Sequence, residues 1–271
     1  MSITSVSKRF AAFDSLHHGQ RPLLLPNAWD AASALLLQDA GFPAVATTSL
    51  GVTAAAGVPD GVGLGRSVVL ELAKALTTRL HVPFSVDIEG GYSDDPAEVA
   101  DYVAELSAAG VVGVNLEDGR AKGALRPVEQ HVAIVRAVTA AAPHVFVNAR
   151  TDSYWLKTGQ AEGRLAETLR RVVAYREAGA HGVFVPGLTD LTDVAVVAST
   201  AQAPLNVLWR PDASLAELAG AGVARVSTGS ALYRTALGAA LRTARRAREE
   251  DLTDEPAAPV GYDAVQALFA S

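Results

Sequence analysis

Short apolar runs alternate with longer stretches of helical period along almost the whole chain. Eight runs have the length and composition of strands: Leu23–Leu25, Ala44–Thr47, Phe84–Ile88, Gly113–Leu116, Val145–Ala149, Gly182–Val185, Leu205–Leu208 and Val223–Val226. Seven of the stretches between or after them predict helices: Ala31–Ala40, Ser67–Leu80, Pro96–Ala109, Val128–Ala141, Glu162–Glu177, Leu191–Ser199 and Leu215–Ala219. Apolar strands separated by helices predict parallel strands that helices cover.

This succession of β/α units predicts an α/β fold, a (β/α)8 barrel of the TIM type. The alternative is an open doubly wound sheet, which a GxGxxG motif after the first strand would favour. The first strand leads instead into Pro26–Asp30, and the glycines at Gly63–Gly65 follow no strand. We therefore predict a barrel domain over residues 1–253, ending in a basic helix at about Ser230–Glu249.

Residues 254–271 predict a Pro-rich linker and a last apolar helix, Tyr262–Ala270. Its apolar residues recur at helical spacing, so the helix needs a surface to pack on. That surface is either its own barrel or a neighbouring subunit.

Composition removes several classes of function. Of the 271 residues 49% are hydrophobic and none is cysteine, which excludes global disorder, disulfides, thiolate metal sites and cysteine nucleophiles. The net charge of −6 argues against nucleic acid or an anionic membrane as the partner. Without a secretory apolar segment or an apolar stretch of membrane-spanning length, the sequence predicts a cytoplasmic protein.

Polar side chains follow the apolar strands, where a barrel builds its active site. Asp87 and Glu89 end the third strand, Glu117 the fourth and Arg150 the fifth. These carboxylates would repel one another unless a cation lies among them, and ligands that are all oxygen favour Mg²⁺ or Mn²⁺. Arg150 suggests a bidentate clamp on a substrate carboxylate. The sequence thus predicts a site for a small anionic 2-oxo or 2-hydroxy acid.

These segments resemble the isocitrate lyase/phosphoenolpyruvate mutase superfamily. The resemblance covers residues 23–152 and is carried by Asp87-Ile-Glu-Gly-Gly-Tyr, Val114-Asn-Leu-Glu-Asp, Val147-Asn-Ala-Arg-Thr-Asp, Thr48-Ser-Leu-Gly and Val58-Pro-Asp, in the family's order. It implies an α/β barrel whose terminal helix is exchanged between the subunits of a homodimer or homotetramer. That exchange would give the last helix its partner.

The resemblance also implies roles for single residues. Asp87 would bind Mg²⁺ directly, while Asp60, Glu89 and Glu117 would hold its water ligands, with Glu89 a longer arm than the family's usual Asp. Arg150, with backbone N–H groups of the segment from Ser49 through Leu50 to Gly51, would bind substrate. On a looser alignment, Asn206 at the end of the seventh strand would correspond to a family substrate-binding residue. From its place at the end of the first strand, Trp29 is expected either to line the substrate pocket or to pack at the barrel rim. The predicted catalytic residues are Arg150, Glu117, Asp60 and Lys122.

One segment departs from the family. Family lyases carry Lys-Lys-Cys-Gly-His after the fourth strand, and its Cys protonates the carbanion left by cleavage. This chain has Gly119–Pro127, without Cys or His, and Arg120 and Lys122 are the cations that could close over an anionic substrate. The general acid and base are therefore not identified.

These observations favour a Mg²⁺-dependent carbon–carbon lyase that works through an enolate. Decarboxylation of an acid such as oxaloacetate is favoured over cleavage of the isocitrate or methylisocitrate type, because cleavage needs the missing acid. One alternative is a phosphonopyruvate-type P–C bond mutase or hydrolase. Another is a non-catalytic protein that binds 2-oxoglutarate or oxaloacetate.

Overall fold

The structure is a computed structural model that describes residues 3–120, 123–157, 161–248 and 258–268. Nine parallel strands form one sheet, in the order β1-β11-β10-β9-β8-β5-β4-β3-β2, and β6 and β7 form an antiparallel hairpin. The strands are β1 (Leu23–Leu25), β2 (Asn27–Ala28), β3 (Val45–Thr47), β4 (Phe84–Asp87), β5 (Gly113–Glu117), β6 (Gly119–Arg120), β7 (Ala124–Leu125), β8 (Phe146–Arg150), β9 (Gly182–Phe184), β10 (Leu205–Leu208) and β11 (Val223–Ser227).

The two ends of the sheet, β1 and β2, are consecutive in the chain and are separated by Pro26. β1 pairs with β11, while β2 pairs with β3, so the first strand joins both edges of the sheet. Pro26 interrupts it because proline has no N–H to donate. The result is a nearly closed barrel, which confirms the predicted TIM-type fold; the open doubly wound alternative is wrong. All eight predicted strands are present, and β2, which continues the first strand beyond Pro26, was not predicted.

Helices alternate with the barrel strands. They are α1 (Ile3–Ser15), α2 (Ala31–Asp39), α3 (Ser49–Ala55), α4 (Arg66–Thr77), α5 (Pro96–Ala109), α6 (Val128–Ala141), α7 (Ala161–Glu177), α8 (Leu191–Ala201), α9 (Leu215–Gly220), α10 (Ala231–Ala247) and α11 (Tyr262–Ala267). Each predicted helix is found, with ends that differ by up to three residues where the structure describes both. The sequence analysis missed α3 and the β6–β7 hairpin. No described helix is long and apolar enough to span a membrane.

Local sequence explains where the helices begin and end. The Asp95 carboxylate accepts from the N–H of Ala97 at the start of α5, and Pro96 occupies the first helical position. Gly110 ends the same helix with a φ of 112°, a conformation that only glycine adopts readily. Because the strands of the barrel sheet are all parallel, the residues that follow them lie at the same rim of the barrel.

The N-terminal end of the barrel is closed by α1 and the turn that follows it. Phe13 is fully buried and packs edge-on against Phe146, the first residue of β8. The His17 ring stacks on Phe146, with ring centroids 4.1 Å apart. This end of the barrel is therefore packed, and the open end is the one where the polar residues lie.

Candidate active site

A cavity of about 220 Å³ opens at the carboxyl ends of the barrel strands. Four carboxylates and two arginines line it, together with an aromatic and amide wall. Its principal residues are Ser49, Leu50, Asp60, Asp87, Asn115, Glu117, Arg120, Arg150, Asp152, Trp155, Phe184, Tyr262 and Gln266. The cavity is smaller than the about 300–1,000 Å³ of sites for drug-sized ligands, so its size suits a small acid.

Arg150, the last residue of β8, is surrounded by carboxylates. Its Nη1 lies 2.7 Å from Glu117 Oε2 and 3.9 Å from Asp87 Oδ2, and its Nε lies 2.6 Å from Asp152 Oδ1. Burial disfavours the charge of the guanidinium, but Asp152, Glu117 and Asp87 raise the pKa of Arg150 well above its ordinary value. The ring of Phe184 lies beneath the guanidinium, 5.6 Å away. Arg150 is therefore a permanently charged group held in a fixed position.

Asp87 lies at the end of β4 and is almost fully buried. Its backbone N–H donates to Thr47 Oγ1 at 2.9 Å, and its Oδ1 accepts from the backbone N–H of Glu89 at 3.1 Å. Asp87 is in register with Asn115 on β5, whose side chain hydrogen bonds its carboxylate. Burial raises the pKa of Asp87 despite the nearby Arg150.

Below Asp87, the interior of the barrel contains a buried arginine that the sequence analysis did not select. Arg225 on β11 is 1% exposed, and its Nη2 donates to Asn115 Oδ1 at 3.2 Å. The same oxygen accepts from Asn148 Nδ2 at 2.9 Å. With its oxygen occupied twice, the Asn115 amide turns its nitrogen towards Asp87. Burial lowers the pKa of Arg225 to about 9, only partly offset by the negative charge of Asp87.

Glu89 and Asp60 flank Asp87. Glu89 has a φ of 50°, and its side chain turns behind the cavity wall, where Oε2 accepts from the N–H of Gly63 at 3.3 Å. Burial, then the charges of Asp60 and Asp87, raise the pKa of Glu89 to about 8. Burial also raises the pKa of Asp60.

These carboxylates fit a divalent cation held mainly through water. Asp60 Oδ1 and Glu89 Oε1 are both buried without a hydrogen-bond partner, and four lining carboxylates exceed the two lining arginines in charge. Among the described residues no group of three or more acidic or histidine side chains is arranged to ligate one ion directly. One direct ligand, Asp87, with waters held by its neighbours, agrees with both observations. The Glu89 side chain, which is longer than the Asp usual in the family, accepts a hydrogen bond from the N–H of Gly63.

The predicted substrate-binding residues divide into two groups. Ser49 and Leu50 line the cavity as the first residues of α3, where backbone N–H groups have no partner within the helix. Gly51 lies behind them, too close to Trp29 for a side chain: an added Cβ would come within 2.7 Å of the Trp29 Cβ. Trp29 does not line the cavity and packs against Tyr233, with ring centroids 5.5 Å apart.

Asn206 was expected at the end of its strand, and this placement is wrong. It is the second residue of β10, which continues to Leu208, and it is buried inside the barrel away from the cavity lining. Its Oδ1 accepts from Ser227 Oγ at 3.2 Å. The predicted strand, Leu205–Leu208, is the observed one, and Asn206 lies within it because Val207 and Leu208 follow.

The segment in the place of the family's Cys loop forms the β6–β7 hairpin. Arg120 lines the cavity and forms an ion pair with Asp94. Lys122 lies outside the described residues. The base of the hairpin is fixed by Arg126, which is buried and donates to the carbonyls of Gly90 and Ser93 at 2.9 and 3.1 Å.

Asp118, which the sequence places beside Glu117, faces away from the cavity. Its Oδ2 accepts from Arg171 Nη1 at 2.9 Å and from the Tyr175 hydroxyl at 2.6 Å, and its Oδ1 accepts from the N–H of Asp152 at 2.9 Å. This fully buried network connects the ends of β5 and β8. It therefore fixes the strand ends that present Glu117 and Arg150.

Two cavity residues come from a part of the chain that the sequence analysis treated only as a docking helix. Tyr262 and Gln266 both lie on α11 and both contact Asp60. Their spacing of four residues places them on one helix face, which was the available signal.

The fold and the site define an α/β barrel protein with carboxylates, one central arginine and helix-start N–H groups at the carboxyl ends of its strands. Residues 13–248 match the family model described as phosphoenolpyruvate phosphomutase, and the chain belongs to this family. The resemblance to the isocitrate lyase/phosphoenolpyruvate mutase superfamily is thereby confirmed.

Known relatives agree over most of the chain. An uncharacterized protein of Mycobacterium tuberculosis is 44% identical over 86% of this chain and 88% of its own length. An oxaloacetate decarboxylase of Pseudomonas paraeruginosa is 30% identical over 90% of this chain and 88% of its own length. A crystal structure from Burkholderia cenocepacia J2315, provisionally named a phosphonomutase, is 38% identical, has a TM-score of 0.83 and covers 88% of this chain and 99% of its own. The named relatives are thus a lyase and a provisional mutase.

Proposed function

We propose that this protein is a Mg²⁺- or Mn²⁺-dependent carbon–carbon lyase that decarboxylates a small 2-oxo dicarboxylic acid of the oxaloacetate type. The observation that carries the proposal is the contact of Arg150 with Glu117 and Asp87 in a cavity of about 220 Å³. The excess negative charge of the carboxylates would bind a cation, and the fixed guanidinium of Arg150 beside them would bind a carboxylate of the substrate. Similarity to an oxaloacetate decarboxylase over 90% of the chain supports the choice of substrate.

The chain's own residues would bind and orient the acid. Asp87 would ligate the cation, and Asp60, Glu89 and Glu117 would hold its water ligands. Arg150 is paired with Glu117, so a substrate carboxylate that binds Arg150 would take the place of Glu117. The N–H groups of Ser49 and Leu50 at the start of α3 would donate to the carboxylate next to the oxo group. A bound divalent cation supplies the charge that stabilises an enolate.

Decarboxylation suits the residues that line the cavity. Within the described part of the chain the lining contains no His, Cys or Lys, and the groups there that could donate a proton are Tyr262 and the carboxyl groups. When the carboxyl group β to the oxo group leaves as CO₂, the electron pair of the broken C–C bond forms an enolate. This step needs no general base, and solvent can protonate the enolate. Cleavage of a 2-hydroxy acid such as isocitrate or methylisocitrate needs both an acid and a base, so it ranks second.

The test is NMR of the purified protein with oxaloacetate, isocitrate, 2-methylisocitrate and phosphonopyruvate, each with Mg²⁺, with EDTA and beside a blank without protein. We expect pyruvate from oxaloacetate above the metal-only rate, lost in Asp87→Ala and kept in Asp101→Ala, an exposed aspartate on α5. Turnover of oxaloacetate by Asp87→Ala at the full rate would contradict the site assignment. Tight binding of oxaloacetate or 2-oxoglutarate without product would identify a non-catalytic binding protein.

Phosphonate chemistry is the second candidate, favoured by the 38% identity to the provisional phosphonomutase. It predicts rearrangement or hydrolysis of phosphonopyruvate, which phosphorus NMR of the same samples detects.

The exchange of α11 between subunits of a homodimer or homotetramer also remains a prediction. Size-exclusion chromatography with light scattering measures the oligomeric state.

A further inference from the structure

The last described helix holds one cavity residue by three hydrogen bonds. The Tyr262 hydroxyl donates to Asp60 Oδ2 at 2.8 Å. The Gln266 side chain pairs with the backbone of the same residue: Oε1 accepts from the Asp60 N–H and Nε2 donates to the Asp60 carbonyl, both at 3.1 Å. Both backbone polar groups and one carboxylate oxygen of Asp60 are thus bound by a single helix face.

Asp60 needs such support because of the segment that carries it. It lies between α3 and α4, where Gly57, Gly61 and Gly63 all have positive φ and no regular structure forms. A glycine-rich segment fixes a side chain poorly by itself. The Asp60 carboxylate therefore takes its orientation from what it contacts.

The position of α11 is fixed independently of Asp60. Val265 lies between Tyr262 and Gln266 on the helix and is fully buried in an apolar cluster with Leu50 and Tyr233. Tyr262 also packs edge-on against Trp155, with ring centroids 5.7 Å apart. The helix is thus anchored on the barrel by apolar packing, and its polar face is directed at Asp60.

We propose that Tyr262 and Gln266 are positioning residues of the active site. By holding Asp60 Oδ2 and the backbone, they leave Oδ1 available for a water ligand of the divalent cation. Oδ1 is buried and has no hydrogen-bond partner among the residues that the structure describes. The inference rests on the proposed function, which supplies the cation. It assigns to the C-terminal helix a part in metal binding.

The experiment measures Mn²⁺ binding by electron paramagnetic resonance of the free ion, which requires no turnover. Tyr262→Phe and Gln266→Ala should each weaken Mn²⁺ binding about ten-fold, the scale found when groups that orient metal ligands are removed. Asp263→Asn, an exposed position on the same helix, is the matched control and should bind Mn²⁺ as the wild type does.

A double-mutant cycle separates positioning from general damage. If Tyr262 acts through the Asp60 carboxylate, Tyr262→Phe should change Mn²⁺ affinity less than two-fold once Asp60→Ala is present. Equal effects of Tyr262→Phe in the two backgrounds would overturn the proposal, and so would unchanged Mn²⁺ affinity in both single variants. Wild-type protein that binds no Mn²⁺ would refute the proposed function as well.

Amide hydrogen exchange gives a second measurement. It compares each variant with and without Mg²⁺, so it can be interpreted even where a substitution destabilises α11. Because binding linkage is reciprocal, Mg²⁺ should slow amide exchange in residues 262–267 of the wild type. The slowing should be smaller in Tyr262→Phe than in Asp263→Asn. Equal slowing in the two variants would contradict the inference.

Discussion

Replacing Arg225 with methionine should make the protein more stable and less active. Arg225 is fully buried in the barrel, and of its nitrogens Nε and Nη1 have no hydrogen-bond partner. Its one hydrogen bond goes to Asn115 Oδ1, which also accepts from Asn148. Methionine has a similar length and no charge, and Asn115 keeps one donor after the substitution.

The magnitude follows from the pKa of Arg225, which burial lowers from 12.5 to about 9. Each pKa unit is worth about 1.4 kcal/mol, so burial of this charge costs roughly 5 kcal/mol at neutral pH. The hydrogen bond to Asn115 offsets about 1–2 kcal/mol. Replacement of whole buried ion pairs by apolar residues has left other proteins unchanged or stabilised them by about 1–4 kcal/mol. The difference leaves an expected gain of about 3 kcal/mol, or a Tm higher by about 6–12 °C.

Activity should change in the opposite direction. Without Arg225, the Asn115 amide can turn, and its nitrogen no longer faces Asp87 permanently. We expect kcat to fall about ten-fold, the scale of one lost hydrogen bond to a charged group. Urea unfolding and oxaloacetate turnover of Arg225→Met measure the two effects, with Arg225→Lys keeping the charge as the comparison. Destabilisation of Arg225→Met by more than about 1 kcal/mol, with activity unchanged, would refute this reasoning.

Three further predictions concern the carboxylates. In metal-free protein the pKa of Glu89 is raised from 4.5 to about 8. Its contribution to stability is therefore complete below about pH 4.5 and is lost as the pH rises through 8. In urea unfolding with EDTA, Glu89→Gln should make the free energy of unfolding depend less on pH over this range. Asp118→Ala should destabilise the protein by about 3 kcal/mol because it leaves Arg171 and Tyr175 without their common acceptor, whereas Asp101→Ala in the same thermal denaturation should have almost no effect. Mg²⁺ at about a hundred times its dissociation constant should stabilise the wild type by about 2.7 kcal/mol, and differential scanning calorimetry should show no such gain in Asp87→Ala.

The barrel was predictable because buried parallel strands are apolar on both faces. Phe84–Asp87 and Phe146–Arg150 each end where polar residues begin, so both the strands and the rim of the site are visible in the sequence. Helix α3 was missed because Ser49–Ala55 has only seven residues, too few to show a clear helical period. The hairpin was missed because its two strands have only two residues each, too few for a period of alternation.

Site residues were predictable where they follow strands, and less so where tertiary contacts decide. Arg150 and Asp87 lie at strand ends, and the sequence indicated that they would meet. Arg225 lies within an apolar strand, and only barrel closure shows that its side chain faces Asn115 across the interior. Tyr262 is 202 residues from Asp60, a separation that no local pattern bridges.

The junction at Pro26 has a consequence for how the chain is made on the ribosome. β1 finds its partner only in β11, the last strand of the barrel, while β2 pairs with β3 near the start. During synthesis the second contact can form early, but β1 remains an unpaired edge until residues 223–227 have emerged. Over that interval the nascent barrel is an open sheet that exposes an apolar strand, Leu23–Leu25, to other chains. Chaperone demand should therefore be greatest late in translation and end when β11 docks.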